Sequence, residues 1–221
     1  LLSIDYNNFE GWWNKSKKEM DLIIHPNYLP STSHFLLMVN SKKLVFEIND
    51  HYLKQTFRNR TYIYGANGKL LLSIPVIHSQ KNRKLLKDVK ISYDQDWLSQ
   101  HWKSLEISYR SSPFFEFFED KLICLYNKKE KYLVDFNLKS INILFEMLQI
   151  DLEYDFTNSY EENYSSISDY RINPENFNSN EIKIDRYTQV FQSKHGFINN
   201  LSVLDLIFNE GPNAINFLKT N

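Results

Sequence analysis

Cysteine is almost absent from this sequence, because Cys124 is the single one among 221 residues. One thiol can form neither an internal disulfide nor a multi-thiolate metal site, and this usage is typical of a reducing cytoplasm. Cys124 itself lies in an apolar stretch beside Leu122 and Leu125. We therefore expect it to fill space in the core.

Net charge is also nearly absent, since 26 Lys and Arg residues oppose 27 Asp and Glu residues. Such a chain has no overall field that attracts nucleic acid or anionic lipid. No apolar run reaches the roughly 18 residues of a membrane span, and no signal segment opens the chain. We predict a cytoplasmic protein without a membrane span and without nucleic-acid binding, and the oligomeric state stays open.

Three catalytic signatures are missing as well: a Ser nucleophile elbow, a Walker loop and a dinucleotide fingerprint. Two histidines, His25 and His34, lie nine residues apart, but no third ligand accompanies them. Two histidines alone do not make a metal site. The residues therefore name no reaction, and they predict neither a metal nor a cofactor.

The first nineteen residues end in a Lys-rich stretch just before Met20, and an organised pattern begins there. We interpret residues 1–19 as a peripheral N-terminal extension, Met20 as a candidate native start, and residues 20–221 as one domain. Trp12 and Trp13 leave open the alternative that the extension caps the core.

Strand and helix patterns alternate in the first part of this domain. Residues 21–25 are a short apolar run closed by Pro26, Ser31 or Thr32 can cap a short helix, and residues 43–48 follow as a second strand. Strand, helix, strand is the repeating unit of a parallel sheet. The pattern therefore predicts a single α/β domain with a mainly parallel, Rossmann-like sheet.

Two β-rich runs then flank residues 65–68, "GANG", which favours a β-hairpin over a phosphate-cradling loop. Repeating apolar faces predict a helical C-terminal half with helices over 98–110, 114–126 and 138–150. Between 151 and 182 the composition shifts to Asn, Ser, Tyr and Glu. This shift predicts a mobile loop or an insertion that lies over the core.

Residues 53–60, "LKQTFRNR", form a basic segment just ahead of the hairpin. In a strand, Lys54, Arg58 and Arg60 share one face, and Gln55 and Asn59 share the other. Three cations on one face are either an exposed charged strand or an anion-binding surface that lines a cleft. Composition alone leaves both alternatives open.

Three further residues are candidates for acid–base chemistry. His25 ends the first strand, and open α/β sheets bind ligands at that edge. Glu47 lies inside an apolar strand, where a carboxylate must be paired or exposed, so it is either a general base or the partner of an arginine. His101 follows Trp97 at helical spacing and carries a polar tip within an aromatic cluster.

Several of these stretches, in this order, resemble the WbqC-like protein family. They are "HPNYLPSTSHF", "FEINDHYLKQTFRNRTYIYGANGKLLLSIPV", "KDVKIS", "HWKSLEISYRSSPFFEFFED" and "QVFQSKHGFINNLSVLDLIFNEGPNA". The resemblance runs from about Met20 to the C-terminus. The family's pattern falls on Pro26, Tyr28, Leu29, Pro30, Lys54, Gln55, Arg58, Asn59, Arg60, Pro75, His101, Trp102, Tyr109, Pro113 and Phe114. The chain departs from it at His34, where the family commonly has Tyr, so no role is predicted for His34.

The resemblance implies a place in bacterial surface-polysaccharide synthesis, including lipopolysaccharide and O-antigen, without naming a reaction. Our leading hypothesis is a group transferase for a phosphate-bearing substrate, a sugar nucleotide or an acyl donor. Lys54, Arg58 and Arg60 would hold the phosphate, with Gln55, Asn59 and Tyr28 beside them. His25 or His101 would supply acid–base chemistry, with Glu47 as a further candidate. The alternative is a non-catalytic protein whose basic segment binds an acidic partner.

Overall fold

The computed structural model describes residues 21–77, 84–164, 167–171 and 184–219. The predicted N-terminal extension, with Met20, Trp12 and Trp13, lies outside the described residues.

The predicted strand–helix–strand unit is confirmed. Strand β1 (Asp21–Ile24) pairs in parallel with β2 (Lys43–Phe46), in register from Asp21 opposite Lys43 to Ile24 opposite Phe46. Helix α1 (Thr32–Val39) connects them, and the Ser31 hydroxyl caps it by accepting the backbone N–H of His34. Three consecutive residues of β1 are buried, as expected of a central parallel strand covered on both faces.

Two short strands widen this sheet. Strand β5 (Tyr154–Phe156) pairs in parallel with β2, and β6 (Ser168–Asp169) pairs in parallel with β1. Within the described residues the order is β5–β2–β1–β6, so the chain moves to one side of β1 and later returns to the other side. The carboxyl ends of β1 and β6 therefore mark the topological switch point, where open α/β sheets bind ligands.

Both edge strands come from the segment 151–182, for which the composition predicted a mobile loop or an insertion. Its described part contributes these two strands to the sheet, and its mobility stays a prediction. The predicted hairpin is confirmed: β3 (Arg60–Gly65) and β4 (Gly68–Ser73) pair antiparallel across a two-residue turn. Gly68 has φ +98°, which an L-residue rarely adopts.

The predicted helical half is also present. Helix α2 (Trp97–Tyr109) matches the expected span. Helix α3 (Phe115–Ile123) ends earlier than the predicted residue 126, and α4 (Leu133–Met147) begins and ends several residues earlier than predicted. Helix α4 begins earlier because buried Leu133, Val134 and Phe136 extend its apolar face. The remaining described elements are the 3₁₀ turn Leu86–Asp88, α5 (Gln192–His195), α6 (Val203–Glu210), the 3₁₀ turn Gly211–Asn213 and α7 (Ala214–Leu218).

The prediction for Cys124 is wrong, because this residue is exposed at the end of α3. The apolar face of α3 points inward through Phe115, Phe118 and Leu122. Cys124 lies outside that stripe, and its thiol donates back to the carbonyl of Asp120 at 3.2 Å. A lone cysteine on an amphipathic helix need not share the face of its apolar neighbours.

Candidate functional site

A triangle of three polar side chains lies at the carboxyl end of β1 and β2. His25 directly follows β1, Asp50 comes four residues after β2, and Arg58 belongs to the basic segment. Nε2 of His25 lies 3.0 Å from Oδ2 of Asp50 and 2.9 Å from Nη2 of Arg58, and Nη2 donates to the same Oδ2 at 2.8 Å. The His25 and Arg58 side chains are each 6% exposed, but that of Asp50 is 20% exposed. The triangle therefore meets solvent on its Asp50 side.

The helical half holds the loops that carry this triangle. Asn137 on α4 is fully buried, and its Nδ2 donates to the carbonyls of Pro26 at 2.8 Å and Arg58 at 2.7 Å. Arg58 in turn donates from Nη1 to the carbonyl of His51 at 2.8 Å. Because Pro26 follows His25 and His51 follows Asp50, these bonds hold the backbone beside all three members of the triangle.

A second charged cluster lies at the same edge of the sheet. Glu47, just after β2, is fully buried and pairs with Nη1 of Arg171 at 3.2 Å. Its other oxygen accepts the backbone N–H of Asn49 at 2.7 Å and the hydroxyl of Thr157 at 2.8 Å. Both oxygens of Glu47 are thus engaged. Of the two alternatives raised by the sequence, the contacts match an ion pair, and the partner is an arginine outside the basic segment.

Arg171 ties the chain after β5 to this edge. Its Nε donates to Oδ1 of Asp169 at 2.9 Å, and its terminal nitrogens also donate to the carbonyls of Glu161 at 2.7 Å and Glu162 at 3.1 Å. With its bonds to Glu47 and to the second oxygen of Asp169, the guanidinium uses all five N–H groups. Arg171 is therefore a structural clamp with no donor left for a ligand.

Burial sets the protonation state of His25. It lowers the pKa of His25 to about 4, although the hydrogen bond with Asp50 raises it; the charges of Arg58 and Arg171 lower it further. Partial burial tends to raise the pKa of Asp50, but the bond with His25 and the charge of Arg58 bring it below its usual value. At neutral pH the site thus combines a neutral imidazole with a charged carboxylate and a charged guanidinium.

Tyr28 and His101 belong to a different cluster. The Tyr28 hydroxyl is 2.9 Å from Nδ1 of His101 and 2.8 Å from the hydroxyl of Tyr126, and Tyr28 is fully buried. His101 stacks on Tyr28 and meets Trp97 edge-on, and burial lowers its pKa to about 4. The structure therefore places these two predicted site residues in an internal network and brings neither into contact with the His25 triangle.

The expectation that the basic segment is an extended strand is wrong. Residues 54–59 form turns and a bend, Gln55 has φ +62°, and β3 begins only at Arg60. Arg58 consequently turns inward to Asp50, whereas Lys54 and Gln55 are exposed. The three cations do not share a face.

The last two residues of the segment are buried (Asn59) and half-buried (Arg60). Asn59 donates to the carbonyl of Ile74 at 2.9 Å, and its Oδ1 has no hydrogen-bond partner among the described residues. Arg60 is half-buried, and its Nε also has no hydrogen-bond partner among the described residues. Both atoms are buried, so the exposed polar side chains of the segment are those of Lys54 and Gln55.

A sequence model of the WbqC-like protein family matches residues 25–171 and 164–217. The chain belongs to this family. It is also 23% identical over 223 residues to the uncharacterized protein Rv1507c of Mycobacterium tuberculosis, covering 89% of this chain and 96% of that protein. No solved structure matches the chain.

The WbqC-like match spans three charged residues that the sequence did not single out: Asp50, Asp169 and Arg171. Asp50 follows β2 by four residues, so its position past a strand end was a usable signal. Asp169 and Arg171 lie in the segment that was interpreted as a loop, and only the pairing of β6 with β1 places them at this edge.

The described residues of this WbqC-like protein contain neither a metal-binding cluster nor a membrane-spanning helix. No group of three or more His, Cys, Asp or Glu side chains is arranged to hold a metal ion. A groove of about 700 Å³ lies between α3 and α4 beside Cys124, but no predicted site residue lines it. Every helix in the described ranges is too short or too polar to cross a bilayer.

Proposed function

We propose that this WbqC-like protein is a group transferase that acts on a phosphate-bearing activated substrate in bacterial surface-polysaccharide synthesis. The observation that carries the proposal is the neutral His25 at the switch point of the sheet, held between Asp50 and Arg58. A neutral imidazole can accept a proton from an acceptor substrate. The association of the family with surface-polysaccharide gene clusters supports the pathway.

The proposed step is a displacement. An acceptor hydroxyl or amine forms a bond to the transferred group while the bond from that group to the phosphate-bearing leaving group breaks. The leaving group departs with the bonding electron pair, and the acceptor's proton passes to His25. The donor is a sugar nucleotide or an acyl donor.

Lys54 and Arg60 are the cations proposed to hold the phosphate, with Gln55 and Asn59 beside them. Lys54 is exposed, and Arg60 is half-buried with a buried Nε that has no partner among the described residues. Charge-assisted bonds of this kind contribute about 1.5–3 kcal/mol each. Arg58 acts on the substrate only through the charge and position of Asp50 and His25, because its guanidinium is already paired.

The other predicted site residues take structural roles in this proposal. Glu47 anchors Arg171, and Tyr28 and His101 stabilise the core network beneath the loop that follows β1.

One observation favours the alternative function, a non-catalytic interaction protein. Arg58 is paired within its own chain, and Lys54 lies on an exposed turn beside Leu53, which is 51% exposed. A basic turn with an exposed apolar residue can bind an acidic partner.

Thermal unfolding with a panel of sugar nucleotides and acyl donors separates the two functions. A ligand at 100 times its Kd adds about 2.7 kcal/mol to the free energy of unfolding. We expect Lys54→Ala and Arg60→Ala to abolish this gain while the ligand-free protein keeps its Tm. Arg60→Lys should restore it only partly, because an ammonium cannot reproduce the guanidinium fork.

Lys43→Ala is the matched control, since Lys43 begins β2 at the opposite edge of the sheet and forms an exposed pair with Asp155. It should leave ligand stabilisation intact. If no panel member raises Tm, and Lys54→Ala instead abolishes binding to an acidic protein, the transferase proposal is wrong.

A further inference from the structure

The two nitrogens of the His25 ring have different surroundings. Nε2 contacts both Asp50 and Arg58. Nδ1 makes no hydrogen bond within the described residues, and the His25 side chain is 6% exposed. Nδ1 is therefore the ring nitrogen that the described residues leave unoccupied.

We infer that Asp50 is a positioning residue that holds the Nε2–H of His25, and that Nδ1 of His25 is the atom that accepts the substrate proton. This inference rests on the proposed transferase function and adds to it the reacting atom and its support. It also assigns a role to a carboxylate that no sequence pattern singled out.

The contacts of Asp50 favour this arrangement. Its Oδ2 can accept from Nε2 of His25 at 3.0 Å and from Nη2 of Arg58 at 2.8 Å at the same time. Arg58 is anchored independently, because its Nη1 donates to the carbonyl of His51. When Nδ1 takes up a proton, the Nε2–H bond to Asp50 persists and the new imidazolium faces a carboxylate. In this tautomer Nε2 has no lone pair to accept from Nη2 of Arg58, so Nη2 donates to Oδ2 of Asp50 alone.

In the alternative tautomer His25 cannot act as the base. If Nη2 of Arg58 donates to Nε2 across their 2.9 Å contact, the ring proton must lie on Nδ1. Nδ1 then has no free lone pair for an acceptor substrate. The two tautomers of His25 thus have opposite consequences for the proposed reaction.

Five ionisable groups influence the protonation of the His25 ring. The carboxylates are Asp50 and Asp169, the cations are Arg58 and Arg171, and the fifth group is the buried ring of His34. The two carboxylates offset the two cations. The tautomer of His25 therefore depends on whether Nε2 donates to Asp50 or accepts from Arg58.

His34 provides an internal reference. Its Nε2 donates to the carbonyl of His25 at 3.0 Å, and its Nδ1 accepts from Nδ2 of Asn27 at 3.2 Å. These contacts require the neutral Nε2–H tautomer for His34. The ring also holds the backbone of His25 in place.

Two-dimensional NMR that correlates ring ¹⁵N with ring ¹H at pH 7 reads the tautomers directly. We expect His25 to carry its proton on Nε2, as His34 does, with signals assigned through their loss in His25→Gln and His34→Gln. A proton on Nδ1 of His25 in the unmodified protein would overturn the inference. This measurement requires no substrate, so it separates failure of the inference from failure of the transferase proposal.

Two variants test the part played by Asp50. In Asp50→Asn the carboxylate charge is lost, so Arg58 should donate to Nε2 and move the proton to Nδ1. Asp50→Glu should retain the Nε2–H form, and the control Asp94→Asn, at an exposed turn, should leave the His25 signals unchanged. An unchanged His25 tautomer in Asp50→Asn would show that Asp50 does not position the ring.

Discussion

Three buried histidines should make the protein sensitive to mild acid. His25, His34 and His101 are each no more than 5% exposed, and burial lowers their pKa values to about 4, 3 and 4. In the unfolded chain their pKa returns to about 6.5. Between these values the unfolded state binds protons that the folded state does not. Stability therefore falls as pH decreases from about 6.5 towards 4.

The size of this loss of stability follows from the difference in pKa between the folded and unfolded states. For His101, with a pKa of about 4 in the folded state, lowering the pH from 7 to 5 costs about 2 kcal/mol. The three histidines together cost about 6 kcal/mol, which is comparable with the whole stability of a typical domain. Asp205 opposes this trend, because burial raises its pKa and so favours the folded state as the pH falls.

The variant His101→Asn isolates one contribution, because Asn can still accept the Tyr28 hydroxyl but does not titrate. Urea unfolding at pH 7 and pH 5 gives the loss of stability for each protein. The variant should be less stable at pH 7, and its loss between the two pH values should be about 2 kcal/mol smaller. His195→Asn, at an exposed position, is the control. An equal loss in His101→Asn and the unmodified protein would refute the reasoning.

Two further predictions concern the scaffold. Arg171→Ala leaves the fully buried carboxylate of Glu47 without its ion partner and should lower the free energy of unfolding in urea by about 3–5 kcal/mol. The control Arg110→Ala breaks exposed pairs and should lower it by under about 1 kcal/mol. Similar losses of stability in both variants would contradict the role of Arg171 as a clamp. In Gly211→Ala the new Cβ would lie 2.5 Å from the Phe114 ring, so this variant should lose about 1–3 kcal/mol more stability than Gly68→Ala. Gly68 is the control because its φ is also positive but no atom lies near its added Cβ. Equal losses in Tm would show that the Phe114 ring moves aside.

Much of the fold could be predicted because local patterns determine it. The apolar run of β1, the cap at Ser31 and the turn between β3 and β4 each act over a few residues. The short strands β5 and β6 could not be predicted in the same way. They lie in polar sequence, and the backbone ladders with β2 and β1 hold them in the sheet.

The candidate site was predictable in part for the same reason. His25 was found because the end of a parallel strand is a local signal. The pairing of Asp50 with Arg58 depends on the turns around Gln55, because a positive φ there redirects the chain and brings Arg58 inward. The pair of Glu47 with Arg171 joins residues 124 positions apart, and no local pattern specifies such a contact.

The density of charge in the basic segment is therefore a poor measure of the charge that a ligand can reach. Arg58 neutralises Asp50 inside the protein, and burial makes that pair part of the scaffold. Lys54, one turn earlier, is exposed. Replacing Arg58 thus reports mainly on the stability of the loop after β2, whereas replacing Lys54 reports on binding. A mutational test that treats the two cations as equivalent would confuse loss of the fold with loss of the ligand.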